Sequence, residues 1–184
     1  VPALAALLVT IGSVVLLSAV VTTVRGRSQG VIAGLALGAT PFYFFLGSAQ
    51  VADIPLAYFM LATVGLLVLH DATGGVDRRW VVLAGMLAGL AGWTKNEGLL
   101  FIAVVTAVRL MVVPLRDGFR AATREAGAFL LGLLPFLCLL LYYRLELVPA
   151  ANYLLATQGD QTTLERLQDA SRYRTILLLM LLQV

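Results

Sequence analysis

Charged side chains are scarce in this sequence. They make up 12% of its 184 residues, against 60% hydrophobic ones, and the mean hydropathy is +0.94; soluble domains carry about a quarter charged residues. The shortage excludes a water-soluble domain and predicts an integral membrane protein. Period-two alternation is lacking too, which excludes a transmembrane β-barrel. The apolar residues instead fall into separated blocks of spanning length, as helices that satisfy their own backbone hydrogen bonds require. The expected fold class is all-α, a polytopic transmembrane helical bundle.

Cysteine and histidine each occur once, as Cys138 and His70. No His/Cys cluster can form, so a zinc site built from this chain is not expected. Cys138 lies in the apolar block 129–143 and reads as a small buried hydrophobe rather than a nucleophile. The chain also lacks a Walker-type phosphate loop, a nucleophile elbow, an HExxH pair and any internal repeat. Its net charge of +3 comes from arginines in short connections, a topology signal that implies no nucleic-acid partner. There is no initiator Met, the first block is too long for a signal peptide and lacks a small-residue cleavage site, and the last block, 175–184, covers about half of the ~20 residues needed to cross. An internal fragment of a longer protein is expected.

Hydropathy predicts spans at 2–24, 30–46, 53–69, 80–93, 98–115 and 126–143, about six full crossings plus the start of a seventh. If each crosses once, Arg25 and Arg27, Arg78 and Arg79, and Arg116, Arg120 and Arg124 share one side, which the positive-inside rule makes cytoplasmic. The other side receives residues 47–52, the turn after the fourth block, and an outward segment, 146–174. Within that segment Thr162-Thr163-Leu164-Glu165 has a capping-box pattern, predicting a short helix along the membrane surface that serves as a connector.

The stretch Gly92-Trp93-Thr94-Lys95-Asn96-Glu97-Gly98 breaks an otherwise apolar run. The block before it holds about fourteen residues and rises roughly 21 Å, short of a hydrocarbon core of about 30 Å, so the turn is expected to lie below the membrane surface. Charged backbone at that depth must line a cavity or be buried in protein. Alternatively the bilayer thins and Lys95 snorkels. Lys95 is the only lysine among thirteen Lys and Arg residues, and a compact ammonium suits a point contact with a phosphate.

Asp53 opens the third block and is expected to act as its N-cap, with Pro55 in the first turn. A carboxylate there could also line a polar cavity and contact a divalent metal or a hydroxylated substrate. Glu97 stands two positions from Lys95 and either caps the following helix or joins Asn96 on a ligand. Arg109 is expected to snorkel to the cytoplasmic side, and Phe42, Tyr43, Phe44 and Phe45 read as an interfacial belt or helix packing.

Two segments, GMLAGLAGWTKNEGLLF and SAQVADIPLAYFMLATVGLL, resemble the membrane-embedded GT-C glycosyltransferases, in the branch of protein O-mannosyltransferase-like and aminoarabinose-transferase-like enzymes. The resemblance spans nearly the whole chain in hydropathy and spacing. It implies a polytopic enzyme that moves a sugar from a polyprenyl-phosphate carrier to a lipid, glycan or protein acceptor at the outer face of the cell membrane. Asp53 is similar to the second acidic residue of these enzymes, which begins a helix at the cavity. Lys95 matches the lysine of the TK pair, where a lipid-linked phosphate would be held; Asn96 and Glu97 occupy variable positions. The resemblance places the principal catalytic acid in a first outer loop, upstream of Val1. A metal ion is compatible with Asp53, and inversion at the sugar carbon is implied. A secondary transporter or permease is the rival reading, and a non-catalytic membrane scaffold the third.

Overall fold

The computed structural model describes residues 2–143. They form seven helices: α1 (Pro2–Arg25), α2 (Arg27–Gly38), α3 (Pro41–Ser48), α4 (Asp53–Ala72), α5 (Arg79–Thr94), α6 (Asn96–Asp117) and α7 (Phe119–Tyr142). No strand occurs among the described residues, so the all-α expectation holds. The seventh block, the 146–174 segment and its capping-box helix lie outside them.

The count of full spans differs from expectation. Four helices, α1, α4, α6 and α7, are long and apolar enough to cross a membrane. The block expected at 30–46 is two helices, α2 and α3, bent by 60° at their junction. Pro41 lacks an amide hydrogen and disfavours helical geometry in the residue before it; Thr40 is accordingly extended, with φ −85° and ψ 102°. If the bent pair counts as one span, the total rises to five. The fourth block is α5, only 16 residues long, which rises about 24 Å.

That short helix is the centre of the bundle. Val81, Ala84, Gly85, Ala88, Gly89, Ala91 and Gly92 are all buried along it, and small side chains let neighbouring backbones approach closely. The approach is reciprocal against α7: a Cβ on Gly85 would overlap the Phe129 carbonyl, and one on Gly132 would overlap that of Val82. Leu67, Val81, Ala84, Ala88, Phe129 and Leu133 make the buried cluster joining α4, α5 and α7. Thr63, fully buried on α4, donates to the Phe59 carbonyl at 2.8 Å and reaches that of Ala84 on α5 at 3.4 Å. Satisfying the hydroxyl inside its own helix removes the cost of burying it.

Cys138 does not join this core. It lies exposed on α7, because α7 turns Phe129, Gly132 and Leu133 inward and Cys138 falls off that face. In an apolar solvent an outward hydrophobe costs nothing, so hydropathy alone cannot tell the two faces apart.

Candidate functional site

The polar stretch 92–98 is not a loop. Trp93 and Thr94 finish α5, Asn96 and Glu97 begin α6, and Lys95 alone is the break, extended at φ −154° and ψ 159°. Gly98 makes so tight a hairpin possible: a Cβ there would run into the Ala91 carbonyl. The Gly98 amide donates to the Lys95 carbonyl at 3.0 Å, and the Lys95 amide to that of Ala91 at 3.3 Å.

Lys95 Nζ donates to Asp53 Oδ1 at 2.6 Å, across a separation of 42 residues. The fold thus brings together the two residues that the sequence singles out separately. Asp53 is the first residue of α4 rather than its N-cap; Ala52 precedes it, and no side-chain cap bond forms. The carboxylate turns to the ammonium because a charge-assisted bond is stronger than one to a neutral amide. The side chains of Lys95 and Asp53 are 35% and 53% exposed, so the pair is reachable rather than sealed.

The hydrogen bond to Asp53 raises the Lys95 pKa above its ordinary value, with a further contribution from the Glu97 charge. The stabilisation tied to this raised value is fully present below the unfolded lysine pKa of about 10.4, and is lost as pH rises through the higher folded one. Lys95 therefore stays a cation throughout the physiological range. Glu97 sits in the first turn of α6, where a carboxylate favours the helix dipole; no side-chain cap bond forms at that N-terminus. Asn96 is the first residue of the same helix.

A metal at Asp53 needs further donors. Among the described residues no group of three or more His, Cys, Asp or Glu side chains comes together, and the Asp53 carboxylate already faces an ammonium.

At the far end of α4 is a second charged group that sequence reasoning missed. Arg109 does not snorkel. Its side chain, 17% exposed, donates to Asp71 Oδ2 at 2.6 Å and Oδ1 at 3.0 Å, and through Nε to Glu125 Oε1 at 2.6 Å. Arg116 also donates to Asp71, at 3.0 Å, and to Asp117, at 2.8 Å. One available signal was the spacing of Arg109 and Arg116, seven apart and so on one face of α6. Asp53 and Asp71 open and close α4, about 27 Å apart along the axis, so the two charged groups mark opposite ends of the bundle.

Comparison with protein-family models, curated proteins and solved structures yields no match to this chain. The arrangement itself offers a cation with two further ammonium hydrogens beyond the one given to Asp53. It can therefore hold an anionic oxygen while its own position is set by the carboxylate.

Proposed function

We propose that this chain is part of a membrane glycosyltransferase of the GT-C kind, which moves a sugar from a polyprenyl-phosphate-linked donor to an acceptor at the outer face of the cell membrane. The observation that carries the reading is the Lys95–Asp53 contact of 2.6 Å at the end of the bundle opposite the arginines. Displacement at an anomeric carbon leaves charge on the departing phosphate, and a fixed cation stabilises that charge more than it stabilises the bound donor. Lys95 has this role. Asp53 orients the ammonium, Glu97 tempers the local positive charge, and Asn96 stands beside them as a donor or acceptor for the ligand. The reaction also needs a base to take the proton from the acceptor hydroxyl, a role that none of these four residues has. A divalent ion, were the reaction to use one, would meet the Asp53 carboxylate.

The test is Lys95→Ala in the full-length protein, with expression and topology verified and transfer assayed in membranes from a polyprenyl-phosphate sugar. Removing one donor that stabilises developing charge lowers kcat roughly 100-fold or more. Unchanged transfer would remove Lys95 from the mechanism.

A second reading, a secondary transporter, has its own support in the 60° break between α2 and α3, since broken helices commonly carry transport sites. Substrate flux in proteoliposomes without any glycosyl transfer would favour it over the enzyme.

A further inference from the structure

The arginine end holds two adjoining cavities of opposite character. One, of about 250 Å³, is lined by His70, Arg78, Arg116, Asp117, Arg124 and Glu125 among others. The other, of about 110 Å³, lies between α4, α6 and α7; apart from Arg109 and Glu125 its walls are almost wholly apolar, with Leu67, Leu110, Phe129 and Leu130 among them. Glu125 belongs to both. Leu110 and Leu130 are about half exposed, so the apolar cavity opens along the outside of the bundle.

Three carboxylates at this end are committed to arginines, Asp71 to Arg109 and Arg116, Glu125 to Arg109, and Asp117 to Arg116, and a fourth, Asp77, accepts from the Arg79 amide at 3.0 Å. Arg78 and Arg124 are left without an ion pair or side-chain hydrogen bond among the described residues. One helix N-terminus reinforces this surplus. The Arg79 amide that opens α5 already donates to Asp77 Oδ1, but Ala121, which lines the same cavity, lies in the first turn of α7 after Gly118, which has no side chain to cap with. Helix N-termini present amide donors and positive potential to an anion.

His70 is built into the same wall. It is only 3% exposed, and its Nδ1 lies 3.0 Å from the Asp77 carbonyl. A carbonyl only accepts, so Nδ1 carries the hydrogen, and Nε2 makes no hydrogen bond among the described residues. The connection around it is held by the Gly75 amide, which donates to the His70 carbonyl at 2.9 Å.

We propose that this end binds an anionic phospholipid, with the headgroup phosphate against Arg78 and Arg124 and the upper part of one acyl chain in the apolar cavity. Guanidinium forks match phosphate oxygens in pairs. A zwitterionic headgroup would bring its own ammonium into a pocket with surplus positive charge. The side concerned is the one the positive-inside rule assigns to the cytoplasm, whose leaflet is rich in anionic lipid. The proposal depends on neither the sugar transfer nor the Lys95 site.

Native mass spectrometry of the full-length protein, released from nanodiscs containing equal phosphatidylglycerol and phosphatidylcholine, reads the preference directly. Phosphatidylglycerol is expected to be retained roughly tenfold over phosphatidylcholine, and the Arg78→Gln/Arg124→Gln variant to lose most of that ratio. Arg120→Gln, outside the pocket, is expected to keep it. Ala126→Phe, which fills the apolar cavity, is expected to weaken retention while leaving both arginines in place. Equal retention of the two lipids by the unaltered protein overturns the proposal whether or not the variants fold. Loss of the preference in Arg120→Gln to the same extent as in the double variant also overturns it. Displacement of phosphatidylglycerol by inorganic phosphate would make the site one for a soluble anion and overturn the lipid assignment.

Discussion

Arg109 and Lys95 are both cations near the ends of apolar helices, yet their surroundings give them different work. Lys95 has one carboxylate at 2.6 Å and stays accessible, as a residue must to receive a ligand. Arg109 is bracketed by Asp71 and Glu125, and its planar fork, unlike an ammonium, serves both at once. Its task is to join α4, α6 and α7. Substituting Arg109→Leu leaves Glu125 without its partner in a mostly buried position and costs about 3 kcal/mol, read as a lowered denaturation midpoint in detergent. The double variant R109L/E125L is expected to recover much of that loss, since two apolar residues no longer strand a charge. A double variant no more stable than R109L would place the loss in the broken Arg109–Asp71 contact rather than in a stranded Glu125. Arg109 was not legible as a clamp because its partners stand 38 and 16 positions away, and their meeting is a product of packing.

At the scale of elements, α5 carries the argument. Apart from Val81 its buried face is made of glycine and alanine, so the stability it brings comes more from backbone proximity than from side-chain bulk. Gly132→Leu would force side-chain atoms into the Val82 carbonyl and push α5 from α7, an overpacking cost of about 3 kcal/mol. Gly127 lies on the same helix with open space where a Cβ would be; Gly127→Ala is expected to be neutral or to stabilise by about 0.5 kcal/mol through helix propensity. Comparable thermal stability for the two variants would contradict the close α5–α7 contact. The shortness of α5 was legible from the distance between its flanking polar residues. The break of the second block into α2 and α3 was not, although Gly38 and Pro41 stand at it, because uninterrupted hydropathy masks a bend in direction.

At the scale of all the described residues, the pattern is a bundle with charge at both ends and little between. The Lys95–Asp53 pair lies at one end, and the Asp71, Arg109, Arg116 and Glu125 network at the other. This separation agrees with the loop-charge reading, in which the arginine end faces the cytoplasm. In a Cys138→Ala background, Ser48→Cys is expected to react with an impermeant maleimide added outside intact cells, and Arg120→Cys only after permeabilisation. The reverse pattern would invert the orientation and remove outer-face transfer as the function.

Sequence alone determined that the chain is helical and membrane-embedded, which blocks are apolar, and that Asp53, Lys95, Asn96 and Glu97 gather near the ends of those blocks. Those properties follow from transfer free energies and local periodicity, which act residue by residue. Tertiary structure decided that Asp53 reaches Lys95 instead of capping α4, that Arg109 is held rather than free, that Cys138 faces outward, and that two cavities meet at Glu125. Each depends on which helix face meets which neighbour, and in an apolar chain the faces differ too little in hydropathy for the sequence to reveal it.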